Sequence, residues 1–226
     1  MTPGSKTIPT VFAVIGLVVL VGAVAYFRVP RMRANALNNE GLKAYHSANY
    51  PLAKQKFEQA IQVMPRMSGA HASLGMVLSE MGQYDAAKQE LEKAIQISPK
   101  RPGPYESLWL IDITQKSYNA ALVDSQRAVQ AIPGDPLLWV DLATSEEKVG
   151  QIDQSVRDCK HAVDLAPAKY TFRNTYGLIL VRAHRRKEAR EQWQFVIQNS
   201  TDSARDRASR YLERYPENPA PRSLTH

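Results

Sequence analysis

The chain has 226 residues, 44% of them hydrophobic and 23% charged, with a formal net charge of +7, which is the balance of an ordinary folded protein. The single cysteine, Cys159, excludes an internal disulfide and a thiolate metal cluster. The basic excess lies at the two ends: residues 1–33 carry a net +4, residues 34–169 a net −2 and residues 170–226 a net +5, so the nearly neutral middle argues against a continuous phosphate-tracking surface.

Residues 1–7 form a short tail. Residues 8–27 then run without a charged side chain, dominated by Val, Leu, Ile, Ala and Phe. A helix of that length spans roughly 30 Å, the thickness of a bilayer core. Tyr26 and Phe27 close the run, and Arg28, Arg31 and Arg33 follow it in a basic juxtamembrane linker, 28–33, in which Pro30 is expected to break the helix. The reading is a single-pass membrane protein with an N-terminal anchor at 8–27, which also supplies a membrane partner. The positive-inside bias leans the remainder toward the cytoplasmic side. Gly16 and Gly22 are six apart, so no Gly-x-x-x-Gly dimer motif is present. The competing reading is an exported protein, cleaved after the small-x-small site Ala23-Val24-Ala25 and serving as an accessory factor in an envelope or cell-wall process. One lysine before the run and the run's length speak against cleavage.

From residue 34 the chain is periodic. Pro65, Pro99, Pro133 and Pro167 stand 34 residues apart. Five residues before each lies Ala60, Ala94, Ala128 or Ala162, and twelve before lies Ala53, Ala87, Ala121 or Ser155. Tyr50, Tyr84, Tyr118 and Ile152 occupy the fifteenth place back, and Gly41, Gly75, Trp109 and Ala143 the twenty-fourth. A fifth copy keeps Gly177, Ala189 and Trp193 but ends without proline. Small residues at fixed places let two helices cross closely, and the proline stops the second helix of each unit. Gly82 and Gly150 fall at the turn inside the hairpin, where a positive backbone angle is wanted. Apolar residues at helical spacing, such as Leu74, Leu78, Leu91 and Ile95, complete two helices per unit.

This pattern resembles the tetratricopeptide repeat family, with small residues at places eight, twenty and twenty-seven of a 34-residue unit and proline at place thirty-two. The expected fold is all-α: a right-handed solenoid of five helical hairpins at 34–67, 68–101, 102–135, 136–169 and 170–203. A capping helix at 204–215 and a disordered tail at 216–226 are expected to follow. Ala204, Ala208, Tyr211 and Leu212 give the last helix one apolar face. Repeat three departs from the pattern with Trp109 at the eighth place and Ser125 where a large apolar residue is usual, and repeat four places Cys159 there. Bulk gained on one helix and lost on the other implies compensation, with softer packing around these two repeats.

No catalytic, cofactor or metal constellation is legible, so the expectation is a non-enzymatic protein without cofactors. His46, His71, His161, His184 and His226 form no ligand pair at helical spacing, and Cys159 and His161 point to different faces. Cys159 reads as core. Glu146 and Glu147 read as a solvated acidic pair. The basic run from Arg182 to Lys187 reads as a charged surface, with an acidic partner, anionic lipid or RNA as alternatives; without interleaved aromatics, nucleic acid ranks last.

The family resemblance implies a scaffold that docks protein partners along its concave face, lined by places two, five, nine, twelve and thirteen of each unit. Carried onto this chain, the groove residues are Asn38, Leu42, Tyr45, Met76, Glu106, Leu110, Ile113, Val140, Thr144, Asn174, Leu178 and Val181. The ninth places, Leu42, Met76, Leu110, Thr144 and Leu178, form a mostly apolar line that suits an extended peptide or an amphipathic helix. The Lys and Asn set with which some relatives clamp a peptide carboxylate is absent, since Asn38 and Leu42 stand at its places in repeat one.

Overall fold

The structure, a computed structural model, describes residues 28–217. Among the described residues every regular element is an α-helix. Residues 28–46 are helical (α1). There follow α2 (Tyr50–Val63), α3 (Ser68–Glu80), α4 (Tyr84–Ile97), α5 (Pro102–Thr114), α6 (Tyr118–Ala131) and α7 (Pro136–Lys148). α8 (Ile152–Leu165), α9 (Tyr170–Arg182), α10 (Arg186–Asn199) and α11 (Ser203–Arg214) complete the set.

The punctuation acts as its chemistry dictates. Each proline stops a helix two residues early: Met64, Ser98, Ile132 and Ala166, immediately before the four prolines, hold φ between −142° and −136° with ψ of 68–82°. Inside the hairpins the chain reverses through a left-handed residue at one register: Ala48, Gly82, Lys116, Gly150 and His184, with φ of 55–86°. Asn49, Asp135 and Asp202 cap α2, α7 and α11 by accepting from Leu52, Leu137 and Ala204 N–H groups.

Two compact units divide the chain at Ser98/Pro99. The first contains α1–α4. A Cβ added at Gly41 would lie 2.6 Å from the Phe57 ring, and one at Gly75 2.7 Å from Leu91 Cγ, so each missing side chain admits a bulky partner from the second helix of its hairpin. The second unit contains α5–α11. Its first helices neighbour one another in the order α5, α7, α9, and α11 packs on both α9 and α10. At Gly177 a Cβ would fall on the Trp193 indole, the largest fully buried side chain among the described residues. Tyr211 and Tyr215 lay their rings against that indole at 5.3 and 5.7 Å, so α11 covers the end of the core as a cap.

Three expectations from the sequence are corrected. The single-pass membrane placement, with repeats on the cytoplasmic side, is overturned: among the described residues no helix is long and apolar enough to cross a membrane. The helices from α2 onward have 12–14 residues where a span needs ~20, and each carries polar positions. The anchor at 8–27 and residues 218–226 of the tail expected at 216–226 lie outside the described residues. Residues 28–33 are not a break but part of α1, because the φ that proline locks at Pro30 is itself a helical value. Glu146 is not solvated. It is 2% exposed, whereas its neighbour Glu147 bonds Lys148 and Arg182.

Candidate functional site

The first helix of each hairpin carries the expected groove residues, and the two units present them differently. In the first unit Leu42, Tyr45 and Met76 meet around one small hollow with Ser73 and the edge of Phe57. Met76 is 41% exposed, and the Tyr45 ring meets His46 edge-on and Tyr50 at a tilt. Burial, then the neighbouring Glu80, push the Tyr45 phenol above its usual value. Asn38 is half-buried, and its Oδ1 finds no partner there.

In the second unit Leu110 stands 58% exposed, while Ile113 is half-buried and Val140 is buried. Glu106 is half-buried, its carboxyl raised by burial and then by Asp135. Thr144, Leu178 and Val181 come together in a cleft of about 610 Å³. Its walls also include Glu147, Lys148, Arg182 and, from the capping helix and its end, Tyr211, Arg214 and Tyr215. Asn174 is buried instead of lining the cleft, and its amide donates to Ala204 O at 2.8 Å, tying α9 to the start of α11.

Behind this face lies a polar core that the sequence reading missed. Asp112, Asp141, Glu146, Ser125, Ser145 and Ser155 are all buried. The expected compensation at Trp109 is visible here. Its indole N–H donates to Ser145 Oγ at 2.9 Å, and Ser125 Oγ lies 3.4 Å from the same hydroxyl, so the small Ser125 and the large Trp109 share one packing site. Burial, followed by Glu106 and Asp135, lifts the Asp141 carboxyl to about 8. Burial, followed by the charge and hydrogen bond of Asp158, lifts Glu146 to about 8 as well. The signal was present in the register: the eleventh place holds Ala44, Leu78 and Leu180 in three repeats but Asp112 and Glu146 in the others.

One tie recurs at the start of successive repeats. The fourth place of repeats two, three and four sends a donor to the carbonyl of the preceding proline: His71 to Pro65 at 3.0 Å, Tyr105 to Pro99 at 3.1 Å and Trp139 to Pro133 at 2.8 Å. His71 is also bonded at Nδ1 to Glu90, at 2.6 Å. The basic run is partly structural. Arg185 forks onto Glu188 with two contacts of 2.6 Å, and Arg190 donates to the carbonyls of Leu212 and Tyr215, capping α11. Cys159 is fully buried, its thiol pushed up to about 12 by burial and then by Asp158, which suits core packing and not reactivity. Among the described residues no group of three His, Cys, Asp or Glu side chains is placed to hold a metal ion.

Comparison with known proteins agrees with this architecture. Residues 68–101, the second repeat, match the tetratricopeptide repeat family model. No curated protein matches the chain by sequence. The fold is similar to that of MamA (residues 41 to the end) from Desulfovibrio magneticus RS-1, at TM-score 0.64 and 20% identity over 76% of this chain and 98% of that one. It is similar to pilF of Pseudomonas aeruginosa at TM-score 0.66 and 18% identity, covering 84% of this chain and 95% of that one. It also resembles YrrB, described as a TPR protein with an unusual peptide-binding site, at TM-score 0.61 and 16% identity over 85% of this chain and 97% of that one. At these identities the likeness is one of fold.

Proposed function

We propose that the chain is a tetratricopeptide-type scaffold that docks protein partners, taking an extended or helical peptide segment on the inner faces of its hairpins. The observation that carries this reading is the exposure of large apolar side chains on the first helices, with Met76 at 41% and Leu110 at 58%. Such side chains on the first helices of each unit gain by covering, at ~25 cal/mol per Å² of apolar surface removed from water. The peptide-binding site in the description of YrrB is in keeping with it. The Leu110→Glu and Leu178→Glu variants test the reading in co-purification. Both are expected to keep full helicity and to lose partner capture; undiminished capture by both would refute the groove.

A further inference from the structure

The cleft at the carboxyl-terminal end of the second unit carries an excess of positive charge. Its floor is apolar, formed by Leu178, Ile179 and Val181. Among the described residues, three cations stand around that floor, Lys148, Arg182 and Arg214, against a single carboxylate, Glu147. Glu147 is shared: one oxygen lies 3.0 Å from Lys148 Nζ and the other 3.2 Å from Arg182 Nε. Arg214 makes no ion pair among the described residues, and its guanidinium rests 5.7 Å from the centre of the Tyr215 ring.

From this placement we propose that the cleft bounded by α7, α9 and α11 binds a peptide segment in which acidic side chains accompany aliphatic ones. The inference rests on the docking function proposed above and names the chemistry of the partner at one end of it. The aliphatic side chains cover Leu178 and Val181. The carboxylates meet Arg214 and compete with Glu147 for Arg182. The exchange is open to Arg182, whose side chain is 67% exposed, while the half-buried Glu147, 15% exposed, keeps Lys148 as its partner. Position is secured from behind, since Tyr211 and Tyr215 pack on Trp193 and Arg190 holds the carbonyls at the end of α11. A basic peptide would find one carboxylate and three like charges, a difference that gives selectivity as well as attraction.

The test is fluorescence anisotropy on the full chain with three labelled synthetic peptides: alternating glutamate and leucine, alternating lysine and leucine, and alternating glutamate and serine. The glutamate–leucine peptide is expected to bind about tenfold tighter than either other, with an affinity that falls as salt rises. Arg182→Glu combined with Arg214→Glu should weaken it about tenfold, and Glu147→Gln should tighten it about threefold by removing the internal competitor. Circular dichroism checks that each variant is folded. Equal binding of the lysine–leucine peptide, indifference to the charge reversal, or no binding of the glutamate–leucine peptide at about 1 mM would overturn the proposal. So would a variant ending at Glu217 that binds about tenfold tighter than the full chain, because the cleft would then belong to the chain's own tail. If Leu178→Glu abolishes binding while the charge reversal does not, docking on the groove stands and the acidic partner falls.

Discussion

Repeat two and repeat four use the same hairpin and fill it with opposite chemistry. In repeat two, Leu74, Leu78 and Leu91 are buried, and the ionisable pair His71–Glu90 sits at the side, satisfied by Lys93 and the Pro65 carbonyl. In repeat four the equivalent of Leu78 is Glu146 and that of Leu91 is Cys159, with Asp141 buried nearby. One hairpin places its carboxylate where donors stabilise the charge. The other places two carboxyls where burial and neighbouring acids disfavour it. Backbone geometry set by glycine, alanine and proline therefore survives a large change in the side chains that fill the core.

The largest consequence is a divergence with pH. Asp141 and Glu146 rise from ordinary values of 3.8 and 4.5 to about 8. Their folded values lie above the unfolded ones, so the folded state holds more protons in that interval, and stability falls as pH climbs from about 4 to 8. Each tenfold change in a group's proton affinity on folding is worth about 1.4 kcal/mol, so the two carboxyls together make this a loss of several kcal/mol. Glu90 behaves oppositely. Burial tends to raise its carboxyl, but the hydrogen bonds from Lys93 and His71 outweigh that and lower it. Its contribution is present above 4.5 and is lost as pH falls through the lower folded value. Hydrogen exchange, corrected for intrinsic rates, should show α7 and α8 losing protection between pH 5 and pH 8.5 while α3 and α4 hold theirs. Asp141→Asn with Glu146→Gln should flatten the trend in α7 and α8. Parallel trends in the two hairpins would break the contrast.

A second effect, of about 3 kcal/mol, concerns the bulk exchanged in repeat three. Trp109→Gly removes the indole and its bond to Ser145, leaving a void beside the small Ser125. Adding Ser125→Leu recreates the Gly75–Leu91 arrangement of repeat two and should recover more than half of the loss in urea denaturation. Simple additivity of the two changes would show that Trp109 and Ser125 are not partners.

How much of this was legible follows from which residues act through backbone and which through packing. Proline and the small residues act locally, so Pro65 to Pro167, Gly82 and Gly150 disclosed the helix ends and turns in advance. The pairing of Trp109 with a small partner was readable because both stand at fixed registers. Glu146 was misread because its neighbour Glu147 is partly open to solvent and an acid pair on a helix suggests one exposed face; only comparison of the eleventh places reveals it as a core position. Asn174 was placed in the groove by register, but α11, joined by a turn of three residues to α10, covers it. The cleft at α7, α9 and α11 draws Arg214 and Tyr215 from outside the repeats, and no repeat pattern could place them.

The third effect distinguishes hairpins by their crossing. Gly75→Ala sets a methyl 2.7 Å from Leu91 Cγ and 3.1 Å from the Ala87 carbonyl, and neither a buried leucine nor a backbone oxygen can withdraw freely. A net loss of about 2 kcal/mol is expected after the ~1 kcal/mol that alanine returns as helix propensity. Repeat four already carries Ala143 at that place opposite the smaller Cys159, so Ala143→Gly should cost only the propensity term, about 1 kcal/mol. Similar costs in thermal melts would mean that the crossing distance is not what selects the residue.

The smallest effect lies in the turns, where all five hairpins share one conformation but not one residue. Ala48, Lys116 and His184 hold φ of 55–61°, a region that costs an L-residue ~1 kcal/mol, while Gly82 and Gly150 hold it without that cost. Lys116→Gly relieves the strain but gives the unfolded chain more freedom, and the two terms oppose each other. A net gain of about 0.5 kcal/mol is expected for Lys116→Gly and His184→Gly, and a loss of similar size for Gly82→Ala and Gly150→Ala. Chemical denaturation of the four variants reads the difference. If Gly82→Ala is neutral and Lys116→Gly destabilises, the turns are selected by unfolded-state entropy and not by backbone strain, and the choice between glycine and other residues carries no information about the fold.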